Sequence, residues 1–275
     1  MPADDFLAPG LVRTLGTQAL PLFFALLLAL LLGAALLWWL ARRYALPRKT
    51  SRLPPNAYLL VRLAAGFAVL VGAAAGFAEI AWELGDSQRI GQLDQIFSDA
   101  VQQSLSLPAR QTFAGITRLG DTLTLTVLGL AGATVLLLRG QRWLALGWSL
   151  ALAGNAALNT TLKAIFARVR PVHDAVLVQA EGFSFPSGHS SGSVVAYGML
   201  AYVVLRSLSP EQAARAGLPL VLLATALAFS IGCSRIFLQV HFATDVLAGF
   251  ASGAAWLAVC IGSIELTRHY RQPRV

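Results

Sequence analysis

The chain has 275 residues, of which 56% are hydrophobic and only 12% charged, with a formal net charge of +8. A soluble domain of this size carries about 25% charged residues, so the composition excludes an ordinary soluble domain and points to the bilayer. The positive balance lies in short clusters between apolar runs, a pattern that marks cytoplasmic loops and excludes nucleic acid as the partner.

A helix that crosses a membrane needs about 20 mainly apolar residues. Seven stretches approach that length: 19–41, 57–82, 121–138, 143–163, 189–206, 217–234 and 245–266. The expected fold class is therefore all-α, a polytopic membrane bundle. The first stretch differs from a signal peptide: its start is acidic (Asp4, Asp5), its apolar run is long, and its basic residues follow it. It is read as a retained helix.

Arg42, Arg43, Arg48, Lys49 and Arg52 follow the first stretch, and Arg139 and Arg142 the third. Arg206 and Arg215 follow the fifth, and Arg268, Arg271 and Arg274 the seventh. These alternate loops are expected on the cytoplasmic side. The N-terminus, 83–120, 164–188 and 235–244 are then outside.

Within 83–120, Ile96, Phe97, Val101 and Leu105 recur at helical spacing, with Asp94, Asp99, Gln102 and Gln103 between them. This predicts an amphipathic helix on the membrane surface, ended by Pro108, and residues 94–107 are expected to floor the route by which a lipid arrives. Gly72 and Gly76 in the second stretch and Gly129 and Gly132 in the third are expected at helix contacts inside the bundle. Cys233 and Cys260 fall at different depths and are read as two separate buried thiols.

Ionisable residues at the ends of membrane helices are costly and mark function by default. They gather in three places, all at expected outer ends. Lys163 and Arg170 are seven apart, so a continuous helix would put both on one face, with Pro171 as its stop. Two such cations can hold a dianion or simply snorkel to the interface. Pro186-Ser187-Gly188-His189 leads into a helix whose first N–H groups favour an anion, although a plain N-cap beside a surface histidine fits as well. His241 and Asp245 are four apart, a spacing that serves either an oriented imidazole nucleophile or a structural pair. Arg235 adds a third cation. His189, His241 and Asp245 could ligate zinc, but the surrounding arginines repel a divalent metal and suit an anion better.

Taken together, K-x6-R-P (Lys163–Pro171), P-S-G-H (Pro186–His189) and S-R-x5-H-x3-D (Ser234–Asp245) resemble the three-part signature of the type-2 phosphatidic acid phosphatase superfamily. The resemblance covers roughly 57–266. It implies a six-helix phosphatase core with one extra N-terminal transmembrane helix, and so three parts. These are 1–56 (tail, extra helix and basic loop), 57–266 (the phosphatase domain) and 267–275 (a basic cytoplasmic tail).

By the same resemblance His241 is the nucleophile and forms a phosphohistidine, Asp245 orients it, and His189 protonates the leaving oxygen. Lys163, Arg170, Arg235, Ser187 and the Gly188 backbone hold the phosphoryl oxygens, with Arg168 as a further phosphate contact. No metal or other cofactor is implied.

The expected substrate is a lipid phosphate reached through the bilayer: phosphatidate, phosphatidylglycerol phosphate, undecaprenyl diphosphate or lipid A. Short loops fit a bacterial inner membrane protein with its site facing the periplasm. Transfer of the phosphoryl group to an alcohol or lipid acceptor shares the first half-reaction and remains the alternative. Vanadium-dependent haloperoxidases carry a similar signature, but they are soluble. A transporter that reused the fold would be expected to lose catalytic residues, and none is missing.

Overall fold

The computed structural model describes residues 9–45, 55–86, 88–171, 177–178 and 180–271. Arg48, Lys49, Arg52 and Arg274 lie outside them. Ten α-helices and no strands occur among the described residues: α1 (Pro9–Thr17), α2 (Ala19–Leu40), α3 (Pro55–Asp86), α4 (Gln88–Ser104), α5 (Leu107–Thr117), α6 (Thr122–Leu138), α7 (Arg142–Phe166), α8 (Gly188–Ser207), α9 (Pro210–Phe237) and α10 (Ala243–Arg271). The all-α membrane bundle stands.

Four of the seven expected crossings are long and apolar enough by themselves: Ala19–Arg43, Ala57–Gly85, Pro210–Phe237 and Ala243–Arg271. Helix α6 has only 17 residues and reaches the required length only together with the segment before it, Leu107–Gly120, across a 41° bend. Helices α7 and α8, with 25 and 20 residues, have the length to cross but are more polar. For α8 the reason is its place in the bundle. Helix α8 packs against α6, α7, α9 and α10, and a helix enclosed by protein need not offer an apolar surface to lipid.

Small residues bring these helices together. Beside α8, a Cβ on Gly249 of α10 would lie 2.6 Å from the Ser187 carbonyl oxygen and 2.7 Å from Ser190 Cβ, and one on Gly253 2.8 Å from the Ser191 carbonyl oxygen. In α6, Gly132 leaves room for the Trp148 indole, whose Nε1 donates to the Gly129 carbonyl at 2.7 Å. Trp148, Leu136, Ala151, Val195 and Met199 make one buried cluster. Gly72 and Gly76 do not behave as expected: a Cβ on either would meet nothing within 4 Å. Helix α3 packs on α10 by another face. Cys233 and Cys260 are free thiols.

The amphipathic helix exists as α4, but its apolar face is turned into the protein. Val101 and Leu105 join Phe23 of α2, Phe113 of α5 and Phe237 of α9 in a second core cluster. Pro108 does not end α4, which stops at Ser104; it stands in the first turn of α5, where its missing N–H costs nothing. At the end of the bundle where α8 and α10 finish, Glu265 binds Arg62, Tyr202 and Arg206, tying α3, α8 and α10 together.

Candidate active site

The three polar groups meet at the other end of the bundle, around a cavity of about 770 Å³ whose wall includes Lys163, Arg170, Gly188, His189, Arg235 and His241. They arrive there differently from the simple helical picture. Helix α7 ends at Phe166, and Ala167 takes a left-handed conformation, φ 44°. Arg170 therefore does not share a helix face with Lys163. It lies in an irregular segment after the helix, and Pro171 is not the stop. The Arg170 fork donates to the carbonyls of Gly182, Glu181 and Val240 at 3.0, 3.0 and 2.7 Å. Lys163 Nζ donates to the Phe183 carbonyl.

Helix α10 begins at Ala243, so His241 precedes it and Asp245 lies in its first turn. The two meet across a helix start rather than along a helix face. His241 Nε2 stands 3.0 Å from Arg170 Nη1. A guanidinium can only donate, so Nε2 carries the lone pair and Nδ1 the proton. Nδ1 faces Asp245 Oδ2 at 3.4 Å. The same oxygen accepts from Phe242 N at 2.9 Å and from Ser184 Oγ. The ring is thus fixed in one tautomer, with its basic nitrogen on the cavity side. Burial pushes the His241 imidazole down to about 3, against the opposing pull of Asp245, so it is neutral across the ordinary pH range.

Ser187 is the N-cap of α8 and is fully buried, its Oγ accepting from Ser190 N. Its own N–H donates to the Asp245 carbonyl at 2.9 Å, which joins the starts of α8 and α10. A Cβ on Gly188 would lie 2.9 Å from Asn159 Oδ1, so the Asn159 side chain would have to shift to admit one. Arg235 is 3% exposed. Its Nη1 donates to Thr117 Oγ1 at 2.7 Å, while its buried Nε lacks a hydrogen-bond partner among the described residues.

Arg168 departs from expectation. It turns away from the cavity and binds two carboxylates, Asp94 Oδ2 at 2.8 Å and Asp245 Oδ1 at 2.6 Å. It also lies over the Phe242 ring, 4.4 Å from the centroid.

Two residues escaped the sequence reading. Asp121 stands immediately before α6 and its Oδ1 is 2.9 Å from His189 Nε2. No spacing rule links residues 68 apart. Asp94 falls among the polar residues between the apolar positions of α4, yet it is only 4% exposed. The signal was there: Asp94, Ser98, Val101 and Leu105 follow i, i+4, i+7, i+11 and share one buried face. Burial pushes the Asp94 carboxyl up, although Thr244 and Arg168 pull it down.

A family model described as the PAP2 superfamily matches residues 142–267. Phosphatidylglycerophosphatase B of Bacillus subtilis (strain 168) is 34% identical over 163 residues, which are 59% of this chain and 78% of that protein. The chain belongs to the PAP2 superfamily. It is a multi-span membrane phosphatase, a hydrolase of lipid phosphates. Decaprenylphosphoryl-5-phosphoribose phosphatase of Mycobacterium tuberculosis (strain ATCC 25618 / H37Rv) is 32% identical over 131 residues, 46% of this chain and 64% of that protein. The crystal structure of a transmembrane PAP2 type phosphatidylglycerolphosphate phosphatase from Bacillus subtilis superposes with a TM-score of 0.67 at 27% identity. The match covers 75% of this chain and 98% of that one.

Proposed function

We propose that the chain hydrolyses the terminal phosphomonoester of a membrane glycerophospholipid, phosphatidylglycerol phosphate first among the candidates, through a phosphohistidine on His241. The observation that carries this reading is the orientation of His241. Its unprotonated Nε2 stands on the wall of a cavity that also holds Lys163, Arg170 and Arg235. Fixed cations there stabilise the charge on a transferring phosphoryl group, and the unpartnered Nε of Arg235 suits an anionic acceptor.

His241 Nε2 attacks phosphorus, and the bond from phosphorus to the lipid oxygen breaks. His189 gives its proton to that oxygen, and Asp121, 2.9 Å from His189 Nε2, orients the ring. Water then attacks phosphorus as His189 takes its proton, and the phosphorus–nitrogen bond breaks with its electron pair returning to His241 Nε2. Inorganic phosphate leaves and His241 is regenerated. Lys163, Arg170, Arg235 and the Gly188 backbone hold the phosphoryl oxygens; Ser187 caps α8 and Arg168 holds Asp245 instead.

The cavity wall on α7 runs from Lys163 to Ser149, fourteen residues or about 21 Å. With Leu125 and Leu130 of α6 this makes a groove suited to a lipid tail. Asp121 and Glu181 also line the cavity, and their charges disfavour the second phosphate of a diphosphate. The phosphatidylglycerophosphatase relative supports the same choice. The distribution of basic loop residues favours a site on the periplasmic face of a bacterial inner membrane.

The test is phosphate release in detergent with EDTA from phosphatidylglycerol phosphate, phosphatidate and undecaprenyl diphosphate, compared with His241→Ala. Fastest release from the first lipid, and none from the variant, is expected. Equal rates for wild type and variant would refute the nucleophile, and faster release from the diphosphate would refute the substrate.

A further inference from the structure

Helix α4 lies outside the residues matched by the family model, and none of its side chains lines the cavity. Yet one of its faces grips the His241 turn on both sides. On one side, Ser98 Oγ donates to Gln239 Oε1 at 2.8 Å; Gln239 holds a left-handed conformation, φ 59°, two residues before His241. On the other side, Asp94 accepts from Thr244 N at 3.3 Å and from the Thr244 hydroxyl. The second arm of Asp94 is Arg168, whose Nη1 in turn holds Asp245 Oδ1 at 2.6 Å. Asp245 is thereby fixed through both oxygens: Oδ1 by Arg168, and Oδ2 by Ser184, Phe242 N and the His241 ring.

We propose that Asp94 and Ser98 are positioning residues for the reaction, holding the His241 turn and, through Arg168, the carboxylate that orients the ring. The proposal rests on the reading of His241 as nucleophile. Attack on phosphorus needs Nε2 in line with the leaving oxygen, and displacements of about 1 Å cost on the order of 100-fold. A left-handed conformation is uncommon for a residue other than glycine, and the turn's own bonds, from Val240 N and His241 N to the Arg235 carbonyl at 3.1 and 3.3 Å, fix its backbone on the α9 side only; α4 holds it from the other. Helix α4 is braced in turn by α1. A Cβ on Gly16 would lie 2.6 Å from Ala100 Cβ, and Ser104 Oγ donates to the Gly16 carbonyl at 3.1 Å. This gives the N-terminal helix α1 a part in the chemistry, at a distance.

The test is single-turnover phosphate release by Asp94→Asn, Asp94→Glu and Ser98→Ala in the full-length protein, with inorganic phosphate as competing ligand. The rate constant counts only competent enzyme, whereas a loss of packing alone lowers the amplitude. In Asp94→Asn the rate constant should fall about 10- to 100-fold. Amplitude should be kept, and the inhibition constant for inorganic phosphate should stay within about twofold. Asp94→Glu, which keeps the charge, should recover part of the rate, and Ser98→Ala should show a smaller fall of the same kind. A wild-type rate constant in Asp94→Asn, at full or reduced amplitude, would overturn the proposal. If Asp94→Asn does not fold, a wild-type rate constant in Ser98→Ala does so. Activity lost in His241→Ala but unchanged in Asp94→Asn removes this proposal alone. Activity surviving in His241→Ala removes the nucleophile and the proposal with it.

Discussion

Replacing Gly249 by alanine adds one methyl group where α10 crosses the start of α8. The new carbon would stand 2.6 Å from the Ser187 carbonyl oxygen and 2.7 Å from Ser190 Cβ, where ordinary contact begins at 3.4 Å. One of the obstacles is backbone, so no rotamer change relieves it. The two helix starts must separate by several tenths of an ångström. That stretches the 2.9 Å bond from Ser187 N to the Asp245 carbonyl and shifts Ser187 and Gly188 relative to His241. Overpacking of this kind costs about 1–3 kcal/mol, and since a displacement of about 1 Å costs on the order of 100-fold, this smaller one should lower kcat roughly 10-fold. Both can be read on purified protein in detergent, from the thermal unfolding midpoint and from phosphate release at saturating lipid. Gly262→Ala on the same helix meets nothing within 4 Å and should be neutral or slightly stabilising. A Gly249→Ala protein with wild-type kcat would show that the α8–α10 contact does not set the site's geometry.

Asp121→Asn should lower turnover of a lipid phosphate by about 10²- to 10⁴-fold. The loss of the first step, read as the burst rate of leaving-group release, should be far smaller on p-nitrophenyl phosphate, whose leaving group needs no proton; parallel burst rates on both substrates decide. His241 is held neutral down to about 3, so kcat/KM of the free enzyme should show no loss from its protonation between about pH 4 and 6.5, measured with a substrate whose charge is constant there. The same depressed affinity has a stability sign. The unfolded chain takes up the proton below about 6.5, so this contribution is full above that pH and is lost as pH falls toward 3. Unfolding midpoints against pH should be flatter in His241→Gln. Trp148→Phe removes the 2.7 Å bond to the Gly129 carbonyl and should cost about 1 kcal/mol of unfolding stability with kcat unchanged.

Apolar run length read directly as helices, because a backbone in lipid must satisfy its own hydrogen bonds. The four stretches long and apolar enough to cross by themselves, in α2, α3, α9 and α10, kept the expected order. The PSGH turn was equally legible, since a serine before a glycine at a helix start is a local capping signal. The gathering of Lys163, Arg170, Arg235, His189 and His241 around one cavity could be anticipated from their shared position at helix ends.

Other features belong to tertiary structure. The left-handed Ala167 removes Arg170 from the face of α7, and local sequence gives no warning because alanine is an ordinary helix former. Whether Arg168 binds phosphate or a carboxylate depends on a partner 74 residues away. Asp121 meets His189 only because α6 starts beside α8. The direction of the α4 apolar stripe follows the same logic: periodicity defines which residues share a face, but the neighbours decide whether that face meets lipid or protein. Here Phe23, Phe113 and Phe237 turned it inward and carried Asp94 with it.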